Sequence, residues 1–337
     1  MKRNLTIIIV VAVIATALVL FRLKGLSAQS ELASPQFFIE QQVSADILPE
    51  AVDEETAKAL LTLIAVRDTF PDKIMAIGYD DGDWFLEFTN RERLFWAKAR
   101  FLPAHLRKNY KNYKRYISYE YSPDIKDPST YSRREVRKLK KEGSPSAQKQ
   151  APTYELTYIE LIYGGVTEET ITPHIKKTEF LGFPIETHET VVEPLKRVEV
   201  KIHNLAAQDN TEVQDFLSSL ENTGSFYWRN IAGSRSLSWH SIGIAVDVIP
   251  QELNNKIVYW AWQRPSNANW PSIPLKNRWQ PPQPVIEAFE SEGFIWGGKW
   301  SMFDTIHFEY RPELHRLYQL KQLYQLETGK TLHNREI

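Results

Sequence analysis

Apolar positions along the chain first form one nearly unbroken run, from about Leu5 to Phe21. Lys2 and Arg3 precede it, and Arg22 and Lys24 restore charge after it. A basic start followed by about 17 apolar residues is the pattern of an export segment. Small residues around Ser27 and Ala28 permit cleavage without forming a good site, so residues 1–30 are expected to be a signal peptide or a membrane anchor. Residues 31–50 read as a tether. Helical periodicity then begins: Asp53, Glu54 and Glu55 open a helix whose Ala59, Leu60, Leu63 and Ile64 share one face, ending near Phe70-Pro71. From Ile74 to Trp96 the pattern changes to alternation, with turns at Asp81-Gly82 and Asn90-Arg91, which predicts a β-meander. Periodicity returns to helical from about Glu189 to Leu205, and Asn210 or Thr211 caps another helix reaching about Leu220. Ser225 to Ile231 is aromatic and strand-like, and Gly243 to Ile249 reads as a buried strand. Residues 264–284, rich in Pro, Trp and Asn, predict a long irregular loop, the kind that is often functional. A short helix over Val285 to Glu292, aromatic strand character over Phe294 to Tyr310, and an amphipathic helix from Pro312 through Leu314, Leu317, Leu320 and Leu323 complete the pattern.

With 337 residues the chain exceeds what one core usually serves, so an N-terminal α+β region over 31–185 and a second domain over 186–337 are expected. The expected class is α+β. A small antiparallel sheet with flanking helices should carry the chemistry of the second domain. A hydrophobic content of 42% with 25% charged residues excludes a wholly disordered or fibrous chain. The formal net charge of -1 supplies no global basic field to recruit nucleic acid. Two stretches stand out locally: Arg107 to Tyr121 and Ser132 to Gln150, the latter a basic linker near 132–150. They suit either an anionic envelope polymer or lipid head group, or simply a solvated helix and linker. Cysteine is absent. Disulfides, thiolate ligands and cysteine nucleophiles are thereby excluded, and any metal must be held by His, Asp or Glu.

Specific chemistry is confined to residues 234–250 (SRSLSWHSIGIAVDVIP) and 296–310 (WGGKWSMFDTIHFEY). His240 and Asp247 lie seven positions apart, with Gly243 permitting a tight turn between them. A pair at that spacing is ordinarily a surface or core hydrogen-bonded pair. His307, in an aromatic strand where an imidazole needs a partner, adds a third ligand type suited to zinc. Two His and one Asp would leave the fourth zinc position to water, the open arrangement of a catalytic site. Asp304, three residues before His307, is then placed to take a proton from that water. Glu309 shares the face of His307, as an orienting partner or as one half of a salt bridge.

The pattern Ser238-x-His240-x-x-Gly243-x-Ala245-x-Asp247, with Asp304-x-x-His307-Phe-Glu309 downstream, resembles the zinc D-alanyl-D-alanine carboxypeptidase and L-alanyl-D-glutamate endopeptidase family. Phe294-x-Trp-Gly-Gly-x-Trp300 looks like its endopeptidase branch, and the resemblance covers roughly residues 195–320. It implies one zinc per chain held by His240, Asp247 and His307, with Asp304 as general base and peptidoglycan stem peptide as substrate. The family's upstream arginine falls on Arg229, with Arg235 as second choice, and Ser238 orients its loop. Departures are Ile306 where proline is usual, Lys299 where an acidic residue is usual, and the long tryptophan-rich loop. An exported protein of the cell envelope is implied, tethered to the membrane if the first segment is uncleaved. The alternative is a catalytically inert, zinc-stabilised module that only binds wall peptide.

Overall fold

The computed structural model describes residues 53–117 and 119–332. Asp53 caps the first helix, α1 (Glu54–Thr69), by accepting the N–H groups of Glu55 and Thr56 at 3.0 Å, where Glu54 and Glu55 also suit the positive end of the helix dipole. The expected meander follows as β1 (Ile74–Asp80), β2 (Asp83–Phe88) and β3 (Arg93–Trp96), extended by β4 (Phe101–Leu102) in sequential antiparallel order. Its turns fall at Asp81-Gly82 and Asn90-Arg91, with Asp81, Gly82 and Arg91 at positive φ. The basic stretch holds α2 (Arg133–Glu142), opened by a Ser132/Glu135 capping box, and α3 (Pro145–Gln150). Neither helix buries a side chain completely.

After α4 (Thr157–Tyr163), β5 (Ile175–Phe180) and β6 (Phe183–His188) form a hairpin about Leu181-Gly182, both at positive φ. Helices α5 (Glu189–Ala207) and α6 (Thr211–Ser218) come next, the second capped by Asn210. The second four-stranded sheet combines β7 (Leu220–Gly224), β8 (Ala245–Pro250), β9 (Phe294–Trp296) and β10 (His307–Tyr310) in the antiparallel order β7-β8-β10-β9. The strand expected over Ser225 to Ile231 is absent: the ladder with β8 stops at Gly224. Beyond it the chain is held by single bonds and forms no ladder: Phe226 N–H donates to the Glu186 carbonyl at 2.8 Å, Tyr227 N–H to the His240 carbonyl at 3.2 Å, and the Ser241 side chain ties Arg229. The expected loop over 264–284 is irregular as far as Pro282, broken by short 3₁₀ turns, and its last two residues already belong to the next helix. Helix α7 (Gln283–Glu290) stacks Phe289 on Phe308 of β10, with ring centroids 3.9 Å apart. Helix α8 (Pro312–Thr328) lays Leu314, Leu317 and Leu320 against Ala57, Leu60, Leu61 and Ile64 of α1.

The architecture is mixed α+β, with small antiparallel sheets among helices. One apolar core runs through residues on both sides of position 185, from Leu63, Leu86 and Ile162 to Leu195, Val246, Val248 and Phe308. The apolar run of residues 1–30 lies outside the described residues. Among the described residues no helix is long and apolar enough to cross a membrane.

Two histidines outside the metal-ligand set are withdrawn from solvent, His188 fully and His315 in part. His188 is 1% exposed; its Nε2–H donates to the Tyr163 carbonyl at 2.9 Å while Nδ1 accepts from Thr190 N–H at the start of α5. His315 donates from Nε2 to the Phe294 carbonyl at 2.6 Å, and its ring lies 3.9 Å from that of Tyr121. Polar sequence neighbours concealed both, because a helix terminus and a tertiary carbonyl supply the partners.

Gly243 connects the turn bearing His240 to β8. It sits at φ +73°, and a Cβ there would lie 2.7 Å from the His188 backbone nitrogen, whose N–H donates to the Gly243 carbonyl at 2.9 Å. Gly243→Ala is therefore expected to destabilise the protein by about 2 kcal/mol or more, combining a disfavoured φ with overpacking; denaturant unfolding of the full chain measures it. His315 gives a pH signature. Burial lowers its pKa to about 4, against the usual value of about 6.5. Because the folded pKa is depressed, the associated stability is present above pH ~6.5 and is lost as pH falls toward ~4. Melting temperature should drop over that window, and His315→Gln, which keeps a donor for Phe294, should flatten the drop.

Candidate metal centre

Strands β8 and β10 pair so that His307 stands directly opposite Asp247. On β8, Val246 and Val248 enter the apolar core, which leaves Asp247 on the opposite face. His240 comes from the 3₁₀ turn Trp239–Ile242 just before β8, where Ser238 Oγ accepts the His240 N–H at 3.3 Å. Ser238 thus fixes the turn, as expected. Register and turn together bring the three side chains to one point: His240 Nε2 to His307 Nδ1 is 3.1 Å, His307 Nδ1 to Asp247 Oδ1 is 2.9 Å, and His240 Nε2 to Asp247 Oδ2 is 3.2 Å.

Hydrogen bonds on the far side of each ring decide what these atoms offer. His240 Nδ1 faces the Ser225 carbonyl at 2.6 Å, and a carbonyl only accepts, so Nδ1 carries the proton and Nε2 a lone pair. His307 Nε2 donates to Glu309 Oε1 at 3.2 Å, which leaves the Nδ1 lone pair directed at His240 and Asp247. Two imidazole lone pairs and a carboxylate, buried and facing one another with no hydrogen between the rings, repel unless a cation lies among them. Ligand atoms about 2.0–2.2 Å from a tetrahedral zinc are roughly 3.3 Å apart, close to the separations here. The donor set therefore fits a divalent metal of the zinc type, and among the described residues this is the group able to hold one.

Asp304 approaches from the segment before β10. Gly297 makes room for it: a Cβ there would lie 2.6 Å from the Asp304 carbonyl oxygen, and the Gly297 carbonyl accepts the Asp304 N–H at 3.1 Å. Asp304 Oδ1 is buried with no hydrogen-bond partner among the described residues. A buried orphan acceptor costs about 1–3 kcal/mol and marks a place for water or ligand. The two carboxylates of the centre differ. Burial alone would push Asp247 up, but the attraction and hydrogen bonds of His240 and His307 in their cationic form, the positive charge whose place a metal would take, outweigh it and hold its carboxyl well below the usual range. Burial and then the charge of Asp247 push the Asp304 carboxyl well above it, opposed only in part by Arg229 and the Ile306 N–H. Proline at 306 would remove that N–H, so this departure changes the electrostatics of Asp304.

Arg229 is exposed and close enough to bear electrostatically on Asp304, His307 and Tyr259. Ser241 fixes its backbone, Oγ accepting Arg229 N–H at 2.8 Å and donating to its carbonyl at 2.7 Å. Arg235 is directed elsewhere, donating to the Ala151 carbonyl at 3.3 Å. Lys299 is engaged in a buried ion pair with Glu290 at 2.6 Å, which accounts for a basic residue there. Sequence reasoning missed Ser225, Ser241 and Tyr119. Ser241 lies within the motif region and Ser225 ahead of it, but their roles are a backbone tie and a carbonyl that residue identity does not signal. Tyr119, which touches Glu309 and Trp300, is far away in sequence.

A family model described as D-alanyl-D-alanine carboxypeptidase matches residues 232–310, a span that contains His240, Asp247, Asp304 and His307 and begins just after Arg229. A model of a domain of unknown function matches residues 62–118. Neither the curated proteins nor the solved structures provide a match to this chain. The first match supports a peptidase of the carboxypeptidase family over the segment that carries the centre.

Zinc titration of the metal-free full chain is expected to give one equivalent bound. His240→Ala and His307→Ala should each weaken binding by more than the roughly 10–100-fold typical of losing an outer partner, read by calorimetry or chelator competition.

Proposed function

We propose that the protein is an exported zinc-dependent peptidase that hydrolyses an amide bond in peptidoglycan stem peptides, of the D-alanyl-D-alanine carboxypeptidase or L-alanyl-D-glutamate endopeptidase type. The observation that carries this reading is the pairing of a metal-ready His240–Asp247–His307 set with a separate, buried, unpartnered carboxylate on Asp304. A centre that served only to stabilise the fold, or to bind wall peptide without turnover, has no use for that second carboxylate. The family match over residues 232–310 supports the substrate class.

When bound among the three ligands, zinc supplies Lewis acidity for the attack of water on an amide carbonyl. Asp304 takes the proton from the attacking water and delivers it to the leaving amine nitrogen, so one water is consumed and one amide bond becomes a carboxylate and an amine. Its raised pKa suits a group that must hold a proton between those events. Arg229 faces the charge that develops on the former carbonyl oxygen, or clamps a substrate carboxylate. Glu309 and the Ser225 carbonyl keep His307 and His240 in the ligating tautomers throughout. Outside the membrane, as a tethered or released protein, the centre would meet its wall substrate.

Mass spectrometry of defined muropeptides incubated with the zinc-loaded full chain tests reaction and substrate together. Loss of terminal D-alanine, or a cut within the stem, is the expected result, abolished by chelator and restored by metal. Zinc and peptidoglycan bound without any product would favour the inert module. Asp304→Asn should keep about one zinc per chain while turnover falls at least ~10²-fold. Arg229→Ala should cost turnover about 10²–10³-fold if the guanidinium meets the oxyanion, and should chiefly raise KM if it clamps a ground-state carboxylate. An Asp304→Asn variant with full activity would overturn the acid–base role.

A further inference from the structure

Tyr119 belongs to the segment between the meander and the basic helix, 188 positions before His307 in the chain and outside the span matched by the peptidase family. It nevertheless reaches the metal centre by two routes. Its ring packs on Trp300 with centroids 4.8 Å apart, and Trp300 in turn lies 5.7 Å from the His307 ring. Its hydroxyl hydrogen-bonds Glu309 Oε2 and accepts from Arg311 Nη1 at 3.1 Å. Glu309 Oε1, the other oxygen of the same carboxylate, accepts the Nε2–H of His307 at 3.2 Å. Arg311 is locked from behind: its Nε donates to Glu313 Oε1 at 2.6 Å, and Tyr116 donates to that same oxygen at 3.0 Å. Arg311, Glu309 and Glu313 are each no more than 4% exposed, so no bulk water stands ready to replace a lost partner.

We infer that Tyr119 is a positioning residue for the metal centre, supplied by the N-terminal region: its hydroxyl fixes Glu309, and Glu309 fixes the tautomer and orientation of His307. The chemistry is that of a carboxylate–histidine–metal arrangement with a further donor behind the carboxylate. A carboxylate held at one oxygen has a defined direction for the other; released, it can turn and leave the His307 Nε2–H without an acceptor. The ring could then ligate less well, because either nitrogen becomes free to carry the proton. The N-terminal region thereby acquires a part in the metal centre, and the centre is incomplete without it. This inference rests on the reading of His240, Asp247 and His307 as metal ligands.

The test is zinc affinity of the full chain, measured by chelator competition with no peptide present. Tyr119→Phe keeps the ring on Trp300 and removes only the hydroxyl, so zinc affinity should fall by about 10–100-fold. Tyr116→Phe removes a hydroxyl from the same buried network one step further away, where it serves Glu313 and not Glu309, and should leave affinity within about threefold. Glu309→Ala should weaken zinc as Tyr119→Phe does, and the double variant should be no worse than Glu309→Ala alone, since the two act through one contact. Glu309→Gln, which retains an acceptor oxygen for His307, should recover part of the loss and serves if the Tyr119 variant folds poorly. Wild-type affinity in Tyr119→Phe, or equal losses in Tyr119→Phe and Tyr116→Phe, overturns the inference. Zinc bound tightly by a wild-type chain that cleaves no muropeptide overturns the peptidase reading and leaves this inference standing.

Discussion

Register between β8 and β10 is the constraint on which the rest depends. Asp247 and His307 face each other because Ala245 pairs with Glu309, Val246 with Phe308, and Asp247 with His307. A slip of β8 by one residue would turn Asp247 into the apolar core, away from His307, and bring Val246 and Val248 out of it. The core enforces the register by packing Phe308 between Phe289 and the valines of β8, so stability and metal geometry are set by the same contacts. His240 alone comes from outside the sheet, and Gly243 is the hinge that returns its turn to β8 without a side chain in the way.

Polar groups around the centre form a continuous buried chain rather than isolated pairs. From His307 it passes through Glu309 to Tyr119 and Arg311, then to Glu313, Tyr116 and Tyr158. Burial raises the Glu309 carboxyl to about 8, offset in part by Arg311 and Lys114. Such a chain holds together only if each member keeps its partners, because an unpaired polar group at this depth is costly. The consequence is structural coupling between the first sheet's side of the molecule and the second sheet. The shared apolar core, and the packing of α1 along α8, express the same coupling in nonpolar terms.

Much of this was legible in the sequence where local rules decide. The Asp53 cap, the Asp81-Gly82 and Asn90-Arg91 turns, the Asn210 cap and Pro312 at the start of α8 are all short-range signals, and each element formed where they placed it. His240, Asp247 and His307 also stood out, since cysteine-free chains have few ways to hold a metal. The segment from Ser225 to Ile231 misled because aromatic residues suggest a strand, yet a strand also needs a neighbour, and β8 offers its edge only as far as Gly224. The β5–β6 hairpin was hidden by its charged outer face, with Lys176, Lys177, Glu179 and Glu186 exposed between inward residues. Buried His188 and half-buried His315 depended on carbonyls remote in sequence, and Tyr119 on a partner 190 positions away, which no local pattern encodes.

Environment, more than residue type, separates the roles of the two aspartates at the centre. Asp247 faces two imidazoles and is kept ionised by the positive charge gathered with them; Asp304 has one oxygen without a partner among the described residues and feels Asp247 as a like charge. In the proposed reaction, moving two neighbouring carboxylates in opposite directions assigns one to permanent negative charge and the other to proton transfer. The backbone supports the division. Asp247 is fixed in mid-strand by pairing on both sides, with Gly224 and with His307, whereas Asp304 lies in the connection held by Gly297 and the edge of residues 258–260. Rigid placement suits a ligand, whose geometry must not change during turnover. A loop position with an unsatisfied oxygen suits a group that exchanges its proton and its hydrogen-bond partner at each step. The asymmetry of placement comes from strand pairing, so it precedes any metal, and with the charges around each carboxylate it accounts for how the same residue type could serve both purposes within one small sheet.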